Sequence, residues 1–199
     1  MRPVSADGGA RPRLFVSVGT DHHPFDRLVG WVADWARANP GWDVALQHGR
    51  TAAPAAAPNL EAFAFCDHAR LQDLFSGSDA VVSHGGPATI TEARRTGHVP
   101  VVVPRDPAHG EHVDGHQVLF AGRLADAGLV TLVASAAALD EAVRAAAEQR
   151  RAVPAPAGGG AAAQAAVPPG VHRVGQVAEA LVAEARASRQ ARAGRGRRR

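Results

Sequence analysis

Short apolar runs alternate with helix-period segments from residue 14 to residue 150, and this alternation constrains the fold more than any other feature. Residues 14–18, Leu-Phe-Val-Ser-Val, form the first run and stop at Gly19-Thr20. Pro24 then opens a segment in which Phe25, Leu28, Val29, Val32, Trp35 and Ala36 share one helical face. Asn39-Pro40-Gly41 ends it. Residues 44–46, 60–65, 80–82, 99–103 and 129–133 predict five more strands. Helices are predicted around residues 71–75, from Pro87 to Gly97, from about Val113 to Ala127, and from the N-cap Ser135 to about Arg150. Apolar strands alternating with helices specify an α/β fold, a Rossmann-like parallel sheet with helices on both faces. Such sheets bind ligands at the carboxyl ends of their strands, where loops meet helix N-termini.

Charge is unevenly placed. All 22 basic residues are arginines, and seven of them lie between Arg186 and Arg199. Residues 1–185 therefore hold 15 arginines against 19 acids, so the net charge of +3 hides a body at −4. An acidic body without an aromatic platform argues against a nucleic-acid partner. The single cysteine, Cys66, excludes an internal disulfide and a multi-cysteine zinc site. No apolar run reaches the roughly 18 residues of a membrane span, and residues 1–11 hold no apolar signal segment. A cytoplasmic protein is expected.

The expected organisation has five parts. Residues 1–12 form a flexible N-terminus and 13–150 a ligand-binding domain. Residues 151–170 read as a linker, since 16 of the 19 residues from 152 to 170 are Ala, Gly or Pro. Residues 171–187 predict an amphipathic helix, with Val174, Val177, Ala178, Leu181, Val182 and Ala185 on one face. It is expected to stand detached from the domain, followed by an Arg-rich disordered tail over 188–199.

Three stretches sit where strands end. Ser83-His84-Gly85-Gly86-Pro87-Ala88-Thr89 passes from strand to helix, and Glu92 follows on the first turns. Two glycines let backbone approach a ligand closely, and the helix start aims free N–H groups and partial positive charge at the turn. A diphosphate fits there, with Glu92 near enough to accept from sugar hydroxyls. The same spacing also suits a plain strand–turn–helix with a solvated Glu92. Val18-Gly19-Thr20-Asp21-His22-His23-Pro24 is a second such junction, equally compatible with a simple capped helix. The third, Pro104 to Gln117, holds three histidines and three acids: His109, His112, His116, Asp106, Glu111 and Asp114. No zinc signature such as His-Glu-x-x-His is present, so no metal is expected. Hydrogen bonding to a polyhydroxylated ligand suits these residues better, since Gln117 both donates and accepts.

In their order and spacing the three stretches resemble the C-terminal, donor-binding half of glycosyltransferase family 28, of GT-B architecture, over about residues 13–150. The likeness is greatest to short stand-alone members that supply one half of a two-part transferase. It implies that Gly19 and Thr20 approach the diphosphate of a UDP-sugar donor. His84, Gly85, Gly86, Ala88 and Thr89 would line the phosphates, and Glu92 would hold the ribose. The backbone around Cys66 and Asp67 would meet the uracil. His116 and Gln117 would contact the transferred sugar, with Glu111 and Asp114 ordering that loop. Ala88 stands where many members carry Gly, and Gly115 where an acid is common. Helix N-termini would neutralise the leaving diphosphate, so neither metal nor cofactor is expected beyond the donor. The resemblance further implies an inverting transfer to a lipid-linked sugar acceptor in cell-surface polysaccharide synthesis. It also implies a membrane-anchored partner protein that binds the acceptor, and a peripheral location at the inner face of the plasma membrane. The general base stays unassigned among His22, His23 and His109. The competing function is a non-catalytic nucleotide-sugar binding or regulatory protein.

Overall fold

The computed structural model describes residues 10–152, 170–181 and 183. Six parallel strands form one sheet in the order β3-β2-β1-β4-β5-β6. They are β1 (Arg13–Ser17), β2 (Asp43–Gln47), β3 (Leu60–Phe63), β4 (Ala80–Ser83), β5 (Val101–Val102) and β6 (Thr131–Leu132). The helices between them are α1 (Asp26–Ala38), α2 (His68–Ser76), α3 (Pro87–Arg95), α4 (His116–Asp126) and α5 (Ala136–Ala152). A further helix, α6, spans residues 170–181. The order reverses direction between β1 and β4, which makes their carboxyl ends the switch point of the sheet.

Period-2 alternation assigns the strand residues to two layers. Leu14, Val16, Val44, Leu46 and Val82 face Leu28, Val32 and Trp35 of α1 and Leu139 and Val143 of α5. Phe15, Ala45 and Val81 face the opposite way, against Leu74 and Phe75 of α2 and Ala93 of α3. Phe15 and Phe75 meet edge to face with centroids 5.1 Å apart. Val102 joins Ile90 of α3 and Phe120, Ala121 and Leu124 of α4 in a third cluster.

Two boundaries depart from the sequence expectation in ways that matter for function. The helix predicted from Pro24 starts at Asp26, and the one predicted from about Val113 starts at His116. The second delay has a local cause. Asp114 Oδ1 accepts from the His116 amide at 3.0 Å, and the preceding loop is pinned by Glu111, so residues 111–115 cannot wind.

The C-terminal helix is not detached. Val174 is 1% exposed, and Val177, Ala178 and Leu181 pack with it against the cluster of Ile90, Phe120, Leu124 and Leu129. Alpha4 and β5 leave an apolar face on that side, and burying one valine there contributes about 2 kcal/mol, enough to favour docking over solvation. Residues 153–169 of the predicted linker, the N-terminal residues before 10 and the Arg-rich tail lie outside the described residues, while residues 151 and 152 belong to α5 and residue 170 to α6. No helix among the described residues is long and apolar enough to cross a membrane.

Candidate functional site

Beta1 and β4 end in register, Ser17 opposite Ser83, so the turns that follow them leave the same edge of the sheet side by side. Ser17 fixes the first turn. Its hydroxyl donates to Gln47 Oε1 at 2.6 Å, and its oxygen lies 3.3 Å from the Gly19 amide. Gly19 then adopts φ +79°, and Gly85 in the second turn adopts φ +89°. These are left-handed conformations that favour glycine.

The imidazole of His84 lies between the two turns. A Cβ at Gly19 would sit 2.5 Å from its Cε1, and a Cβ at Gly86 only 2.3 Å from its Nε2. Gly19 and Gly86 are thus both required by one ring, which shows that the two junctions share a common space. His84 Nδ1 lies 3.3 Å from the Ser17 carbonyl, which can only accept, so Nδ1 carries the proton and Nε2 the lone pair. Burial, helped by the Arg105 guanidinium, pushes the His84 pKa down to about 4. The ring is therefore neutral at neutral pH.

Alpha3 starts directly after Gly86, with Pro87 in its first turn, no acidic residue there and no side chain capping it. Its hydrogen-bond ladder begins with the Ile90 amide donating to the Gly86 carbonyl at 3.1 Å. The amides of Ala88 and Thr89 precede that bond and lie at the positive end of the helix dipole. The start of α1 is different. Eight residues separate it from Ser17, and it carries Asp26 in its first turn, so it contributes no anion cradle. The expectation of two helix starts around one diphosphate is corrected to one helix start and one glycine turn.

The loop after β5 closes on the same edge. Arg105 is 1% exposed, stacks over Phe25 at 4.8 Å, and donates to the carbonyls of Val18 (2.9 Å), His23 (2.8 Å) and Glu111 (3.2 Å). Its buried charge is balanced by Asp21 and Glu111. Arg27 of α1 donates to both Glu111 oxygens at 2.8 and 2.7 Å, and Glu111 Oε2 also accepts from the Asp106 amide at 2.9 Å. Glu111 is fully engaged and 4% exposed, and its bonds to Arg27 and the Asp106 amide hold the loop in place. Asp114 accepts from the His116 amide and lies 2.7 Å from His116 Nδ1, which holds its carboxyl below the usual range. Gln117 Oε1 is buried without a hydrogen-bond partner among the described residues.

Asp21, His22, His23 and His112 form a further cluster. His23 Nδ1 lies 2.7 Å from Asp21 Oδ1, and His112 Nε2 lies 3.8 Å from Asp21 Oδ2. Partial burial works to raise the Asp21 pKa. Hydrogen bonds from the His23 amide and ring, together with the Arg105 charge, outweigh it and hold the carboxyl at about 2. Asp21, His22 and His23 bring ligand-type atoms within 4.8 Å of one another, with His22 exposed, a spacing that acidic surface groups commonly show without an ion.

Glu92 points toward α2, where its Oε1 accepts from Gln72 Nε2 at 2.7 Å. Cys66 and Asp67 follow β3, and the Asp67 side chain caps α2 by accepting from the Arg70 amide at 2.8 Å. No hydrogen bond among the described residues joins Cys66 or Asp67 to the glycine turns. The Gln72–Glu92 bond links their helix to α3 instead. Sequence reasoning missed Arg105. Its signal was an arginine directly after an apolar strand, a place where a solvated charge is the ordinary outcome.

The fold recurs in known proteins. The chain matches the glycosyltransferase family 28 C-terminal domain over residues 14–167. Comparison with curated protein sequences gave no match. Among solved structures it is similar to CalG4, the calicheamicin glycosyltransferase, with TM-score 0.56, 21% identity, and coverage of 87% of this chain and 44% of that one. It is also similar to the glycotransferase of kitacinnamycin, with TM-score 0.51, 22% identity, and coverage of 76% and 39%. A MurG from Acinetobacter baumannii matches with TM-score 0.49, 21% identity, and coverage of 84% and 50%. This chain spans half or less of the length of each of these three structures. With the family domain matched from β1 through α5 and the fold shared with two glycosyltransferases, the chain belongs to the glycosyltransferase family 28 C-terminal domain family.

Proposed function

We propose that the chain binds a UDP-sugar and supplies the donor side of an inverting sugar transfer to a lipid-linked acceptor in cell-surface polysaccharide synthesis. The observation that carries this reading is the His84 ring held between Gly19 and Gly86 beside the uncapped start of α3. That arrangement presents backbone amides to a diphosphate, with the His84 ring as an uncharged spacer between the two glycines and no carboxylate in the helix's first turn to repel the anion. Amides aimed at the leaving diphosphate stabilise the charge that develops as the sugar departs. Glu92 serves the ribose and the residues after β3 serve the base. His116 and Gln117 serve the sugar. The donor needs no metal in this reading, and UDP affinity should survive EDTA.

The acceptor is held by a second lobe on a membrane-anchored partner, which places the chain at the inner face of the plasma membrane. The docked face of α6 belongs to its own domain, so the partner surface is sought elsewhere.

Calorimetry with UDP tests the donor site. The full chain should bind UDP, and Glu92→Ala should weaken binding about tenfold, the loss of charge-assisted hydrogen bonds of roughly 1.5 kcal/mol. Because Glu92 is partly exposed and bonded only to Gln72 and Arg95, its melting temperature should stay unchanged. Wild-type affinity in Glu92→Ala would remove the ribose role. Absence of UDP binding by the wild-type chain would remove the donor site altogether. Radiolabelled transfer into the lipid fraction, with and without a membrane-anchored partner, separates a catalytic subunit from a sugar-nucleotide sensor.

A further inference from the structure

The loop between β1 and α1 carries chemistry that a diphosphate cradle does not use. Asp21 Oδ1 accepts from the His23 amide at 2.8 Å and lies 2.7 Å from His23 Nδ1. An ionised carboxylate only accepts, so Nδ1 carries the ring proton and Nε2 keeps a lone pair. No described residue bonds Nε2. The loop is held from behind as well, where the His23 carbonyl accepts from Arg105 Nη1 at 2.8 Å. The His23 side chain is 21% exposed, so it is fixed yet reachable. Four charged or titratable groups surround the ring. Asp21 and His22 come from its own loop, the His22 ring stacked at 3.9 Å. Arg105 and His112 come from the loop after β5, the His112 ring at 5.8 Å.

We propose that His23, oriented by Asp21, is the general base that deprotonates the hydroxyl receiving the sugar. This rests on the donor-binding reading above. Nε2 takes the proton as the hydroxyl oxygen bonds to the anomeric carbon of the sugar. The bond from that carbon to the diphosphate oxygen breaks, and UDP leaves with the bonding electron pair. The imidazolium that results faces the Asp21 carboxylate, which stabilises it. Asp21 is a positioning residue, since it acts through His23. The placement suits the step. Asp21 lies two residues beyond Gly19, the glycine packed on His84, and Arg105 donates to both the Val18 and the His23 carbonyl, which ties the dyad to the end of β1. The dyad therefore sits beside the place where the diphosphate would lie.

The test uses the full chain with UDP-glucose and UDP-N-acetylglucosamine as probes, water standing in for the acceptor hydroxyl. The wild-type chain should release UDP as water takes the place of the acceptor hydroxyl. His23→Gln should lower the rate at least 30-fold. UDP affinity by calorimetry should stay within twofold. Asp21→Asn should lower the rate less and, by 15N NMR, weaken the preference of His23 for the Nδ1–H tautomer. The proposal is overturned by an undiminished rate in His23→Gln, or by an Nε2–H tautomer in the wild type. Parallel loss of UDP affinity and UDP release in His23→Gln also overturns it, because that pattern marks a binding role. A wild-type chain that binds UDP but releases none from either sugar counts against it too. A wild-type chain that does not bind UDP defeats the donor-site reading instead, so the two failures are told apart.

Discussion

The β4–α3 and β1–α1 junctions leave neighbouring strands at the same edge of the sheet, both through a glycine of positive φ, yet they do different work. After Ser83, three residues lead straight into an uncapped helix. After Ser17, eight residues pass before a helix whose first turn carries Asp26. A short junction delivers helix amides to the glycine turn and so handles negative charge with backbone alone. A long one separates the helix from the turn and leaves room for a carboxylate–imidazole pair, here Asp21 and His23. His84 belongs to the first junction but packs on the glycine of the second. The two are therefore coupled through one neutral ring.

The largest effect should come from filling the space beside that ring. Gly86 has an ordinary φ of −70°, so its requirement for glycine is purely a matter of contact with His84. Gly86→Val should lower UDP affinity at least 100-fold, measured by calorimetry, because the ring cannot move away without meeting Gly19. Gly86→Ala should do the same less severely, and adding His84→Ala should restore much of that loss. Gly19→Ala should resist such rescue, since φ +79° strains any side chain there whatever the ring does. Equal rescue at both glycines would show that contact alone, and not backbone strain, distinguishes the two positions.

A second prediction concerns the loop that braces the long junction. Arg27→Met would strip the buried Glu111 carboxylate of the guanidinium that donates to both its oxygens, leaving only the Asp106 amide and the field of Arg105. Breaking such a pair costs about 3 kcal/mol, the lower end of the usual range because Arg27 keeps some solvent contact. Urea unfolding should show this loss, and Arg27→Met with Glu111→Met should recover part of it. The short junction has no comparable ion pair, so the same measurement on Glu92→Ala should show little change.

The sequence made the sheet legible because its strands are apolar throughout and their ends coincide with glycines and prolines. Gly19, His84, Gly85 and Gly86 were legible as a group because glycine beside a helix start has few other uses. Their mutual wedging was not, since it depends on β1 and β4 being neighbours 66 residues apart, and strand order is not written in periodicity. Arg105 was hidden for a similar reason. Its partners are carbonyls of residues 18, 23 and 111, and backbone acceptors leave no trace in residue type. The C-terminal helix showed its apolar face plainly. Whether that face met its own domain or another protein depended on the apolar surface left open by α4 and β5, which only the packed structure reveals.

Acidity offers the finest separation of the two junctions. His84 titrates at about 4 in the folded chain, against an ordinary value of 6.5. Its unfolded form therefore takes up a proton before its folded form does. The stability this ring contributes is complete above pH 6.5 and is lost as pH falls from 6.5 to 4, by about 3 kcal/mol at most. His98, buried with its Nε2 beside the Phe75 carbonyl, shifts in the same direction through burial and adds to the loss below pH 6.5. Asp21 behaves differently. Its pKa is depressed from 3.8 to about 2, so its contribution is complete above about pH 4 and is lost only below it. Urea midpoints measured from pH 7 down to pH 3 should therefore fall first through the short junction and last through the long one. His84→Gln should flatten the decline between pH 6.5 and 4 except for the part due to His98, and leave the lower one in place. Asp21→Asn should do the reverse. If one substitution flattened both declines, the junctions would titrate as a single unit, and their division of labour between backbone and side chain would not hold.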